Sequence, residues 1–130
     1  MVEVEPAWFE QMVGDALDGL PEQFGQLLSN VAVMVEHDGG PPGLLGLYEG
    51  IPLTGRGTAY GLVAPDVITI YRQAICAMCQ TEQQVADQVR RTLIHEVGHY
   101  FGLNDARLHE LGWLRSHRRP YSKMDVSPAP

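Results

Sequence analysis

The stretch His95-Glu96-Val97-Gly98-His99-Tyr100-Phe101-Gly102-Leu103-Asn104-Asp105 restricts the folds open to this chain more than any other. It begins H-E-x-x-H and continues G-x-x-D. On a helix, His95 and His99 are one turn apart and share a face. At about 100° per residue, Glu96 lies on the flank of that face. Two imidazoles so placed can hold one zinc ion, and the glutamate reaches a water on it. Catalytic zinc sites take a third protein ligand and keep one position open. Gly102 stands where the helix has to stop, because glycine accepts positive φ and closes helices in the left-handed conformation. A sharp turn there returns Asp105 to the metal. A bare H-E-x-x-H also arises as two histidines and a glutamate on a solvated helix face. The glycine at the bend and the carboxylate beyond it make the longer pattern more specific.

The helix that must carry this group is written upstream. Thr81-Glu82-Gln83-Gln84 is a capping box, with Thr81 as N-cap and Gln84 three residues on. From there Val85, Val89, Leu93, Val97 and Phe101 form an apolar stripe, flanked by Ala86, Ile94 and Tyr100. His95, Glu96 and His99 fall largely off it. One side of the helix can be buried while the other presents the polar group. Burying two rings and a carboxylate together would be unfavourable. A short last helix is expected over 105–111, with Asn104 or Asp105 as N-cap, so Asp105 also has a structural role open to it. A carboxylate has two oxygens and can cap and ligate at once. For the third ligand Asp105 ranks first, then Glu110, then His109.

These residues resemble the zincin superfamily of metallopeptidases, and specifically its Asp-zincin pattern H-E-x-x-H-x-x-G-x-x-D. The resemblance implies His95, His99 and Asp105 as zinc ligands and Glu96 as the general base of peptide hydrolysis. Glu110 would be the Glu-zincin solution. The wider chain resembles small bacterial single-domain mini-zincins through Leu44-Leu45-Gly46-Leu47-Tyr48-Glu49-Gly50, Ile68-Thr69-Ile70-Tyr71-Arg72, the motif itself and Arg107-Leu108-His109-Glu110-Leu111-Gly112. It departs from metzincins in having Asp where they have a third His. It implies an α+β fold: a minimal domain with a small mixed sheet of about three strands packed on an N-terminal helix and the H-E-x-x-H helix. It also implies a peptide or protein substrate bound along a sheet edge, which needs backbone groups more than side chains.

The other elements follow from pattern. Trp8, Phe9, Met12, Val13, Ala16, Leu17 and Leu20 recur at helical spacing, giving a first helix over 6–20 with Pro6 in its first turn. A short helical turn is expected within 21–29. Val31–Val35 reads as a buried strand, 44–48 as a second strand bounded by glycines, 49–57 as a glycine-rich loop, and 67–71 as the clearest strand. Residues 73–80 then connect to the long helix. The domain is expected to span 1–115, followed by a basic, proline-containing tail over 116–130.

A net charge of −7 disfavours nucleic-acid binding, which needs a basic stripe. No Lys or Arg precedes Arg56, while Arg107, Arg115, Arg118, Arg119 and Lys123 crowd the end. These are solvated faces, attracted to each other within the fold or across a homodimer. No apolar run reaches the ~18 residues of a membrane span, and the acidic start lacks the basic opening of a signal peptide. A cytoplasmic location without membrane contact is therefore expected. Cys76 and Cys79 form one C-x-x-C pair. Placed after a strand and before a helix, they suit a redox pair, but small buried thiols in a turn are the favoured reading. His37 reads as a surface histidine. Tyr48, Tyr100 and Tyr121 are candidate oxyanion stabilisers. The leading expectation is thus a zinc peptidase. The alternatives are a non-catalytic metal-binding or interaction protein, and a thiol redox protein.

Overall fold

A computed structural model describes residues 1–20, 31–50 and 66–110. The expected turn within 21–29, most of the glycine-rich loop, Tyr121, the boundary at 115 and the basic tail lie outside the described residues. So do the side chains of Asp105 and His109.

The elements run α1 (Pro6–Asp18), β1 (Val31–Glu36), β2 (Gly46–Glu49), β3 (Asp66–Tyr71), α2 (Arg72–Ala77), α3 (Glu82–Tyr100) and α4 (Asp105–Glu110). The strands form one mixed sheet in the order β1-β3-β2. β1 is parallel to β3, with Val33 opposite Ile68; β2 is antiparallel to it, with Gly46 opposite Ile70 and Glu49 opposite Val67. This is the small α+β architecture expected.

β3 is central because its residues fit both neighbours. Ile68 and Ile70 are fully buried on the face that meets the helices, while Val67 and Thr69 on the other face are half-buried. α3 packs across this inner face against β2 and β3, and α1 packs against α3. One core results, joining Phe9, Met12 and Val13 of α1 to Ile68 and Ile70 and to Val85, Val89, Leu93 and Val97 of α3. At roughly 1.5–3 kcal/mol for each buried aliphatic or aromatic side chain, the α3 stripe is the largest single contributor.

β1 is a correction. Its β-branched run predicts a buried strand, yet it is half-exposed, and Met34 is 56% exposed. It is an outer strand of the described sheet. Only Val31, Val33 and Val35 turn toward the core. The expected connection after β3 is another: most of it is α2, a helix too short to leave a periodic signature.

His37 is more engaged than a surface histidine. Its Nδ1 accepts from Arg72 Nε (3.1 Å), and its Nε2 meets Glu10 Oε2. Arg72 also donates to the carbonyls of Val4 (2.9 Å) and His37 (3.0 Å). The cluster ties the N-terminal segment, the end of β1 and the start of α2 together. Among the described residues, no helix is long and apolar enough to cross a membrane.

Candidate metal centre

Thr81 starts the helix that carries the centre. Its hydroxyl accepts from the Gln84 amide (3.1 Å), as the capping box requires. The Gln84 side chain reaches one residue further back and accepts from the Gln80 amide (2.6 Å). After its nineteen residues the helix closes at Phe101. The Gly102 amide donates to His99 O (3.0 Å) and the Leu103 amide to Gly98 O (2.8 Å). Gly102 has φ 74°. This is a Schellman closure, in which the left-handed residue lets two orphan carbonyls be satisfied while the chain reverses.

After the reversal, Asn104 caps α4. Its side chain accepts from the Arg107 amide (2.9 Å), and its carbonyl accepts from Leu108 (3.0 Å). The capping role therefore belongs to Asn104, and Asp105 is the first helical residue. α4 returns close to α3 because Gly98 has no side chain: a Cβ there would lie 2.7 Å from Leu108 Cδ1. Leu108 is fully buried in that contact.

On the last turn of α3, the rings of His95 and His99 are 6.0 Å apart, centre to centre, and inclined by 49°. His95 is half-buried and the His99 side chain is 47% exposed. Glu96 is only 7% exposed, so it belongs to the covered flank of the helix. The cover is β2. A Cβ on Gly46 would lie 3.2 Å from Glu96 Cγ and 2.6 Å from Thr92 Cγ2. Thr92 is held in turn by Gln88, whose amide donates to its hydroxyl (2.9 Å).

Glu96 Oε1 lies 3.2 Å from His99 Nδ1. With the carboxylate accepting, the ring donates from Nδ1 and carries its lone pair on Nε2, the arrangement a metal-binding imidazole needs. Two borderline-soft nitrogens on one helical face suit zinc. Two such ligands at about 2 Å from one ion bring their ring centres to roughly 5 Å; these rings stand 6.0 Å apart. Among the described residues no set of three or more His, Cys, Asp or Glu side chains forms a metal-holding group. Glu110 is exposed and paired with Arg107 of its own helix (3.2 Å).

The tyrosines divide. Tyr48 donates its hydroxyl to Asp66 Oδ2 (2.7 Å), and its ring meets Tyr100 edge-on at 6.0 Å. Its proton is thus already committed to a carboxylate. Tyr100 is enclosed in the core. Asp66 has no precedent in the sequence reading, since its partner becomes visible only through the strand register.

Cys76 and Cys79 are buried free thiols. Cys76 lies near the C-terminal end of α2, whereas thiols are activated at helix N-termini. Burial pushes both thiols up; Arg72 pulls Cys76 back, and the chain's own amino terminus does the same for Cys79. Burial of the pair and the place of Cys76 in its helix work against a redox role.

A family model described as zincin-like metallopeptidase matches residues 28–113, more than half of the chain. Among solved structures, a conserved hypothetical protein from Thermus thermophilus is similar. It is 24% identical over 80% of this chain and 94% of its own, with a TM-score of 0.47. No curated protein matches the chain.

Proposed function

This chain belongs to the zincin-like metallopeptidase family, and from that premise we propose that it is a zinc-dependent peptidase. His95, His99 and Asp105 hold the ion, and Glu96 is the general base. The observation that carries this reading is the placement of Glu96: a carboxylate sheltered under β2 and in contact with the ring of His99. A purely structural site closed by four ligands needs no such acid.

Zinc bound there would supply Lewis acidity, polarising the scissile carbonyl and making water easier to deprotonate. Glu96 accepts the proton from that water and returns it to the departing amine, so that one group serves as base and then as acid. The contact with Glu96 holds the His99 ring in one tautomer throughout. The Schellman reversal and the Asn104 cap support Asp105 as third ligand, because they turn the chain back after His99 and give the Arg107 amide a partner in Asn104. The substrate is an extended peptide or protein segment added to the outer edge of β2, where backbone groups of the strand meet those of the substrate. Gly46 keeps that edge close to Glu96.

The test is zinc stoichiometry and peptide hydrolysis in the wild type, Glu96→Gln and Asp105→Ala. Glu96→Gln should retain zinc and lose turnover; Asp105→Ala should lose zinc affinity. Equal turnover in all three would remove this mechanism.

A further inference from the structure

We propose that Tyr48 and Asp66 are positioning residues that set β2, an outer strand of the described sheet, at a fixed height over Glu96, and so fix where a substrate strand is presented. The part of this that concerns substrate rests on the peptidase reading; the part that concerns β2 does not.

β2 has four residues and is an outer strand of the described sheet. A strand so short is held weakly by its ladder alone. Residues alternate across it, so Gly46 and Tyr48 share the face that looks onto α3. Gly46 lies over Thr92 and Glu96, and Tyr48 lies over Tyr100, next to His99. The strand therefore runs along the helical turn that carries the chemistry. Wherever Tyr48 is pinned, Gly46 follows, two residues or about 6.6 Å away.

Asp66 does the pinning. It is 2% exposed at the start of β3, and it accepts the Tyr48 hydroxyl at 2.7 Å. Its other oxygen faces Gly50, where an added Cβ would collide with it. The carboxylate thus bonds the Tyr48 hydroxyl and packs against the backbone just past the end of β2. Burying a carboxylate is unfavourable unless its oxygens are hydrogen-bonded. An apolar side chain would fill the same volume more readily. What the carboxylate adds is direction: a hydrogen bond fixes the strand's position along its own axis, which packing against a smooth apolar surface does not.

Tyr48→Phe keeps the ring on Tyr100 and removes only the hydroxyl. Asp66→Asn keeps an acceptor for that hydroxyl and serves as the conservative control. In the zinc-loaded full chain, hydrogen exchange of the amides of residues 46–49 should accelerate roughly tenfold or more in Tyr48→Phe. It should stay near wild type in Asp66→Asn, and α1 amides should not change in either. Zinc stoichiometry should be unaltered. With a fluorogenic peptide library as substrate, Tyr48→Phe should raise KM about five- to tenfold and leave kcat within about twofold. Unchanged exchange at 46–49 would overturn the proposal. So would equal acceleration in α1 and β2, which means general loosening, or a fall in kcat at constant KM, which would make Tyr48 part of the chemistry. If the wild type binds zinc but cleaves no peptide, the peptidase reading fails, and the exchange measurement alone decides the positioning role.

Discussion

Cys76-Ala77-Met78-Cys79 and His95-Glu96-Val97-Gly98-His99 are both short spacings of reactive side chains on or beside a helix, and the fold treats them in opposite ways. The thiols lie in the core, near the C-terminal end of a six-residue helix, where desolvation keeps them protonated. The imidazoles lie on the last turn of a nineteen-residue helix, one half-buried and one exposed, with a sheltered carboxylate between them. What distinguishes the two groups is the mixture of exposure and cover. A nucleophile or ligand must reach water or metal, and its polar partner must be shielded enough to hold its place. The cysteines have cover alone.

Substituting the functional groups of each motif in turn tells the two apart. Glu96→Gln should lower peptide hydrolysis by about 10²–10⁴-fold, the range of a lost general base, with zinc content unchanged. Cys76→Ser with Cys79→Ser should leave zinc content and turnover near wild type. It should lower stability in urea unfolding by about 1–3 kcal/mol for each hydroxyl left without a partner. Loss of turnover in the serine pair, with Glu96→Gln unaffected, would reverse the assignment of chemistry between the two motifs.

The buried thiols also predict a pH dependence. Burial raises both above the ordinary value of 9.0. In the unfolded chain they ionise near that value, while in the folded chain they resist. Their contribution to stability is therefore fully present below about pH 9 and is lost as pH rises through the folded values. Cys76→Ala with Cys79→Ala should flatten the alkaline limb of a melting-temperature profile taken across that range. An unchanged limb would mean that the thiols ionise alike in both states.

How much of this was readable beforehand depends on the range of each interaction. His95, Glu96 and His99 were legible because their relation is set within one helical turn. So was the reversal at Gly102, because a helix end needs a residue that tolerates φ near 74°. The α3 stripe and the β-branched run of β3 were legible for the same local reason. α2 was not, since six residues are too few to show a period. Nor was the depth of Glu96, which depends on Gly46 lying across it from another element. In the sequence Gly46 was only a glycine inside an expected strand, and Asp66 only an acid before one. Their roles come from the register of β2 on β3, which no local pattern encodes.

Gly46→Ala tests the cover that β2 places over Glu96. The added methyl would meet Thr92 Cγ2 at 2.6 Å, Glu96 Cγ at 3.2 Å and the backbone oxygen of Thr69 at 3.3 Å. Either Thr92 turns away, at the expense of its bond from Gln88, or β2 lifts from α3. A loss of about 1–3 kcal/mol is expected, as for other overpacked sites. Turnover should fall with it, because the carboxylate would gain water and lose its fixed position. Unaltered turnover in a destabilised Gly46→Ala would show that Glu96 does not depend on its cover.

The smallest expected effect tests the far side of the reversal. Asn104 caps α4 through the Arg107 amide, so Asn104→Ala should lower stability by about 1 kcal/mol. Asn104→Asp, which keeps a capping oxygen, should restore it. Zinc affinity separates the two roles open to Asp105. If Asp105 is a ligand, its helix must start where it does, and loosening the cap should weaken zinc binding by roughly five- to tenfold, with recovery in Asn104→Asp. If Asp105 can instead take over the cap, Asn104→Ala should be nearly neutral in both stability and metal binding. A one-residue shift of the helix start would then suffice to satisfy the same amides. Zinc titration and urea unfolding on the same three proteins distinguish these outcomes, because only a ligand couples the two measurements.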